Sequence, residues 1–157
     1  MNGAIVALSV LVVLGLFPVR AHGADDVPKF KITGSHNSSL ALLVPPDTTA
    51  AQLKALILAF RKARQERRLE TLIPATTPHG SAGPYGIVVV YVYTEPAWAT
   101  SEVLARCSGA KFGSSSDVEC SRRIRAHYYY GGGYSEEGSV GYAEGTRVLT
   151  KPYEKLF

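Results

Sequence analysis

The chain has 157 residues, of which 46% are hydrophobic and 19% are charged, a composition typical of one globular domain. A domain of this length buries roughly two-thirds of its unfolded surface, so it needs no metal ion in order to fold. The formal net charge of +4 is too small to indicate a nucleic-acid-binding protein.

The first 23 residues are predicted to be a cleaved signal peptide. The apolar run from Ala4 to Phe17 suits a signal-peptide core but is shorter than the roughly 20 residues of a membrane-spanning helix. Small residues at Ala21 and Gly23 place cleavage before Ala24. Because no Lys or Arg precedes the run, an uncleaved membrane anchor and a buried N-terminal helix are the alternatives. We expect a secreted or periplasmic protein whose residues 24–157 form a single domain, with no membrane span after cleavage.

The two cysteines, Cys107 and Cys120, are predicted to form a disulfide. In an exported chain a pair of cysteines indicates a crosslink, and closing this loop stabilises the fold by roughly 3 kcal/mol. A metal site would need further ligands at compact spacing, and the next histidine, His127, is too far along the chain for such a site. We therefore predict neither a metal nor a cofactor.

The mature chain begins with a predicted hairpin. Lys29 to Thr33 alternates polar and apolar residues, as expected of a strand near a sheet edge. Gly34 to Ser38 has turn composition, and Ser39 to Val44 is a second strand. Asn37 begins an Asn-Ser-Ser glycosylation pattern, which has meaning only in a eukaryotic host.

A long helix is predicted next. Thr49 and Gln52 form a capping box, and apolar residues then recur at three- and four-residue steps, at Leu53, Leu56, Ile57, Phe60 and Ala63. Its second half, from Arg61 to Arg68, is basic and is predicted to be a solvated end; binding of anionic lipid or polysaccharide there is the alternative. Pro74 to Pro84 is a loop long enough to be functional.

The central element is the strand Ile87 to Tyr93, seven β-branched or aromatic residues between breaks at Gly86 and Glu95-Pro96. Its alternation places Val88, Val90 and Val92 on one face and Tyr91 and Tyr93 on the other.

Three further elements follow the central strand. A second helix begins at Glu95-Pro96 with Thr94 as its cap, and a short helical turn from Ser116 to Glu119 precedes Cys120. Ile124 to Tyr130 is a strand. The Gly/Tyr-rich segment 131–145 is predicted to be flexible, with a short edge strand over Ser139 to Tyr142, and a C-terminal tail follows it.

The order β-β-α-β-α-β predicts an α+β fold: a two-layer α/β sandwich with a mixed sheet of four to five strands and two main helices on one face. Each β-α-β passage is long enough for a parallel crossover. The valine face of the central strand would then be core, and the face of Tyr91 and Tyr93 would lack a covering helix.

Sequence motifs assign no catalytic residue. The chain lacks a nucleophile elbow, a phosphate-binding loop, a zinc-protease helix, an EF-hand and a dinucleotide fingerprint. Active sites are also assembled in space, so a small exported hydrolase around His127 and His79, with a carboxylate such as Glu119, is one alternative. A second alternative is an inhibitor-type protein that uses the loop Pro74 to Pro84.

The leading prediction is a non-catalytic binding or envelope-associated protein with a protein or glycan partner. It depends on the tyrosines, whose large apolar bodies and polar tips suit recognition surfaces. The predicted binding residues are Tyr91, Tyr93, His127 and Tyr129. The competing interpretation is that these tyrosines only cap the open face of a sheet.

Overall fold

The computed structural model describes residues 26–77, 83–108, 115–131, 135–144 and 146–157, with the backbone alone for residues 115–117. The predicted signal peptide and His79 lie outside these ranges. The elements are β1 (Lys31–His36), β2 (Ser39–Leu43), α1 (Ala50–Gln65), a 3-10 turn (Leu69–Thr71), β3 (Ile87–Tyr93), α2 (Ser101–Ser108), α3 (Ser115–Ser121), β4 (Ala126–Gly131), β5 (Ser135–Val140), β6 (Ala143–Glu144), β7 (Arg147–Val148) and β8 (Glu154–Lys155).

Six strands form a mixed sheet in the order β1-β2-β3-β4-β5-β8, which confirms the predicted α+β class. The strand predicted over Ser139 to Tyr142 overlaps β5, which begins earlier, at Ser135, and β8 lies beyond it at the edge of the sheet. The strands β2 and β3 run parallel, as predicted for the passage through α1, and the other neighbours are antiparallel. The segment 131–145, which was predicted to be flexible, contains β5 and β6.

The antiparallel pairing of β3 with β4 corrects the predicted second parallel crossover. Val92 lies opposite Ala126, so β4 begins beside the end of β3. The Arg125 N–H donates to the Val92 carbonyl oxygen at 2.7 Å and fixes this re-entry point. The chain between the two strands therefore leaves and returns at the same end of the sheet, and the chain direction reverses.

The hairpin of β1 and β2 turns more tightly than predicted. Its turn is only Asn37–Ser38, because His36 already pairs with Ser39. Asn37 has a φ of 50°, in the left-handed region that Asn tolerates better than most residues. A bulge between Ile32 and Gly34 lets β1 continue through the residues predicted as turn.

Helix α1 seals one face of the sheet as predicted. Its capping box is present: the Gln52 N–H donates to Thr49 Oγ1 at 3.2 Å, and the Thr49 N–H donates to Gln52 Oε1 at 2.9 Å. Its apolar side chains pack on the face of β3 that carries Val88, Val90 and Val92, all of them fully buried. The first core therefore lies between α1 and the valine side of β3.

Helix α2 lies on the opposite face, so the prediction of two helices on one face is wrong. The helix begins at Ser101, not at Glu95, with the Thr100 hydroxyl accepting from the Val103 N–H at 3.2 Å. It packs so closely on β1 that a Cβ at Gly34 would lie 2.5 Å from its backbone. A second core forms beneath it, from Ala41, Tyr93, Ala99, Leu104 and Ile124. The helix contacts β1 and β2, and its Leu104 belongs to one cluster with Tyr93 at the end of β3, whereas α1 contacts β4 and β5 across the first face.

A half-buried ion cluster joins α1 to β5. The Glu136 carboxylate accepts hydrogen bonds from Arg64 Nε at 2.6 Å, from Arg64 Nη2 at 2.8 Å and from the Tyr128 hydroxyl at 2.9 Å. Arg61 is held more loosely, with its Nε 3.5 Å from Glu136 and its guanidinium over the Phe157 ring. The hydrogen bond to Glu136 raises the pKa of Arg64. Two cations of the predicted solvated helix end are thus engaged within the fold.

Replacing Glu136 tests this cluster. We expect Glu136→Gln to lower the free energy of unfolding by about 2–3 kcal/mol, because it leaves arginine charge uncompensated beside the core. Glu154→Gln is the matched control, since it breaks the exposed pair with Lys54 and should cost less than about 1 kcal/mol. Urea denaturation measures both; equal losses in the two variants would contradict the assignment.

Candidate functional site

Three aromatic rings meet on the second face of the sheet. The β3–β4 register places Tyr91 opposite His127, and the two rings stack with centroids 5.3 Å apart. Tyr142 meets both rings edge-on, 5.3 Å from His127 and 6.1 Å from Tyr91. We call Tyr91, His127 and Tyr142 the aromatic cluster. All three side chains are partly exposed.

A glycine at the end of β5 positions the third ring. Gly141 has a φ of 70°, which favours glycine, and a Cβ there would collide with carbonyl oxygens of Thr150 and Pro152. The Gly141 N–H donates to the Arg125 carbonyl oxygen at 2.7 Å. This turn brings Tyr142 back over β4, so the cluster depends on a backbone conformation that the tyrosine pattern alone did not reveal.

The imidazole of His127 is uncharged at neutral pH. Burial between the two tyrosine rings lowers its pKa to about 4 by disfavouring the protonated form. At pH 7 it therefore presents a neutral aromatic ring with one nitrogen donor and one acceptor. A general base works best with a pKa near the operating pH, and this ring lies well below it.

The other two predicted binding residues occupy different environments. Tyr129 lies two residues beyond His127 on the same side of β4, is partly exposed and lies beside Gly131. Tyr93 is 2% exposed beneath α2, and burial raises the pKa of its hydroxyl. Tyr91, His127 and Tyr129 thus share one surface, whereas Tyr93 belongs to the second core.

Polar groups border the aromatic cluster. Ser139 lies opposite His127 in the sheet, and the exposed Glu137 lies opposite Tyr129. Beside Tyr142, the Ser121 hydroxyl donates to Glu144 at 3.2 Å. The cleft between the cluster and the disulfide has a volume of only about 80 Å³, far below a typical ligand pocket. A ligand at the cluster would therefore bind to its open surface.

The predicted disulfide between Cys107 and Cys120 is confirmed. The two sulfur atoms are 2.03 Å apart and the two Cα atoms 6.0 Å apart, so the crosslink joins the end of α2 to α3. A disulfide of this kind indicates an oxidising compartment. Within the described ranges, no helix is both long and apolar enough to cross a bilayer.

A polar cleft of about 620 Å³ lies near the disulfide and was not predicted. It is lined by Glu95, Val118, Glu119, Arg122, Arg123 and Arg125. The signal in the sequence is three arginines within four residues, which lie between the end of α3 and the start of β4. This cleft is lined by charged side chains, three arginines and two glutamates, whereas the aromatic cluster consists of tyrosines and a neutral histidine.

An apolar groove of about 670 Å³ lies at the edge-strand side of the molecule. It is lined mainly by Val27, Pro28, Phe30, Leu43, Val44, Pro45, Pro46 and Pro96. Apart from Lys29, Lys31 and Thr94 it offers no polar side chain, and it contains none of the predicted binding residues. It lacks the convergent polar groups that orient a small ligand.

Two residues named for the alternative hydrolase line different parts of the surface: His127 stacks on Tyr91 in the aromatic cluster, whereas Glu119 lines the polar cleft. His79 lies outside the described residues. In the described part of the chain, no group of three His, Cys, Asp or Glu side chains is arranged to hold a metal ion. The loop Pro74 to Pro84 is tied at its base, where the Thr76 and Thr77 amides both donate to the Pro84 carbonyl oxygen at 3.0 Å, and its tip lies outside the described residues.

Comparison with protein-family models, with curated protein sequences and with solved structures finds no match to this chain.

The lowered pKa of His127 predicts a dependence of stability on pH. The unfolded chain binds a proton near pH 6.5 and the folded chain only near pH 4, so stability falls as the pH decreases between these values. Between pH 7.5 and pH 5 we expect this histidine to cost about 2 kcal/mol. Urea denaturation of wild type and His127→Phe measures the effect, and an equal pH slope in both would contradict it.

Proposed function

We propose that the protein is an exported, non-catalytic binding protein that holds a protein or glycan partner on the sheet face around the aromatic cluster. The observation that supports this most is the partly exposed contact of Tyr91, His127 and Tyr142. Helix α2 packs on β1 and β2, at the other side of the same face.

The physical case depends on preorganisation. Each ring of the cluster contacts the other two, so these side chains would lose little further freedom when a partner binds. Aromatic faces accept apolar surface, including the C–H faces of sugars, while the phenol oxygens and the exposed Glu137 supply hydrogen bonds. Tyr129 extends this surface along β4.

The neutral state of His127 favours binding over hydrolysis. With a pKa of about 4, the ring is poorly matched to proton transfer at neutral pH, but it adds apolar contact area and a hydrogen-bonding edge. Among the described residues, its recorded partners are the rings of Tyr91 and Tyr142, not a carboxylate of the kind that orients a catalytic histidine.

Export is supported by two independent features. The predicted signal peptide, residues 1–23, would deliver a chain that begins at Ala24. The disulfide between Cys107 and Cys120 fits an oxidising periplasm or extracellular space.

Binding by the mature, oxidised protein tests the proposal. We expect capture of a partner from envelope extract or a signal on a glycan array, and Tyr129→Ala should weaken the binding about tenfold, because it removes a large aromatic contact next to the cluster. Tyr153→Ala, which removes an exposed tyrosine from the segment before β8, is the matched control and should leave binding unchanged. The proposal would be refuted if the wild type bound nothing in either assay, or if Tyr129→Ala and Tyr153→Ala weakened binding equally.

A hydrolase screen separates the two classes of function. The proposal predicts no turnover by the wild type. Hydrolysis that disappears in His127→Ala while the fold persists would show a catalytic histidine and overturn the non-catalytic assignment.

A further inference from the structure

Four arginines gather where the disulfide joins α2 to α3. We call them the arginine corner: Arg106, Arg122, Arg123 and Arg125. Two of their guanidinium groups lie over the ring of Trp98, that of Arg106 at 5.5 Å and that of Arg123 at 5.1 Å from its centre. The crosslink and the shared indole thus tie together two segments that are distant in sequence.

The backbone of the arginine corner is fixed. The Arg122 N–H donates to the Val118 carbonyl oxygen and the Arg123 N–H to that of Cys120, both at 3.1 Å. The Arg125 N–H is bonded to the central strand β3. The backbone that carries these arginines is therefore fixed, and contact with Trp98 also restrains the guanidinium groups of Arg106 and Arg123.

Within the described residues, one of the four arginines is paired with a carboxylate. Arg123 donates to the Glu95 carboxylate at 3.2 Å. Among the described residues, no carboxylate lies within 4.0 Å of the guanidinium groups of Arg106, Arg122 or Arg125. The cleft holds Glu119 as a second carboxylate, so its lining still has an excess of positive charge.

We propose that the arginine corner binds an acidic polysaccharide through its sulfate, phosphate or carboxylate groups. Guanidinium groups recognise such oxyanions by paired, charge-assisted hydrogen bonds. The charges extend from the cleft across Trp98 to Arg106, an arrangement that matches successive groups of a polymer better than one small ion. No residue lining the cleft belongs to the aromatic cluster. The test of this site is therefore independent of the test of the proposed function.

Heparin is the probe for a sulfated polysaccharide, with neutral dextran as its uncharged counterpart. The oxidised wild-type protein should bind heparin and release it as the NaCl concentration rises, and it should not bind dextran. The double variant Arg122→Gln/Arg125→Gln should raise the Kd by about tenfold or more. Lys62→Gln/Arg67→Gln removes the same charge from the exposed end of α1 and should change the Kd less than about twofold.

A gain-of-binding variant guards against effects of misfolding. Glu119→Gln removes a repelling carboxylate from the cleft and should lower the Kd for heparin about two- to threefold. Circular dichroism and thermal unfolding establish that each variant retains the fold.

Four results would overturn the proposal. Three come from direct binding: absence of heparin binding by the wild type, whether or not it binds phosphatidylglycerol vesicles; equal weakening in the two double variants; and weaker binding by Glu119→Gln. The fourth comes from competition. Inorganic sulfate at a matched sulfate concentration should displace little heparin. Full displacement would assign the cleft to a free oxyanion instead of a polymer.

Discussion

The alternation of side chains along β3 divides the hydrophobic core in two, and the rest of the structure follows from this division. Val88, Val90 and Val92 are fully buried beneath α1, while Tyr93 is buried on the other face beneath α2. A strand with two apolar faces needs a cover on each side. Helix α1 covers the valine side of β3, and the shorter, disulfide-linked α2 covers Tyr93 on the other side.

The division separates structural from functional surface. Helix α1 and the ion cluster of Glu136 lie on the first face, and the apolar side chains of α1 are buried there against the sheet. On the second face the cover is incomplete, so Tyr91, His127 and Tyr142 cover one another. The arginine corner lies where the disulfide joins α2, the helix on the second face, to α3. The arginine corner thus depends on the way α2 and α3 are held, whereas the aromatic cluster depends on the β3–β4 register and the turn at Gly141.

The sequence predicted the features that are encoded locally and missed those that depend on distant contacts. Helix α1, its Thr49 cap and the disulfide each rest on a strong local or pairwise signal, and all are confirmed. The side of the sheet that α2 takes was not predictable from its irregular apolar pattern, and the length of its connection allowed either strand direction. The sequence predicted Tyr91 and His127 as binding residues. It did not predict Tyr142, because Tyr142 reaches them through a turn at Gly141, whose φ is positive.

Side-chain proximity measured by nuclear Overhauser effects in the oxidised protein tests the two-sided core most directly. The account predicts contacts between the Leu104 methyl groups and the Tyr93 ring, and between the Phe60 and Tyr128 rings, whose centroids lie 5.8 Å apart on the opposite face. Contacts from Leu104 to the Val90 methyl groups would contradict it, because they would place both helices on one face and leave Tyr93 uncovered.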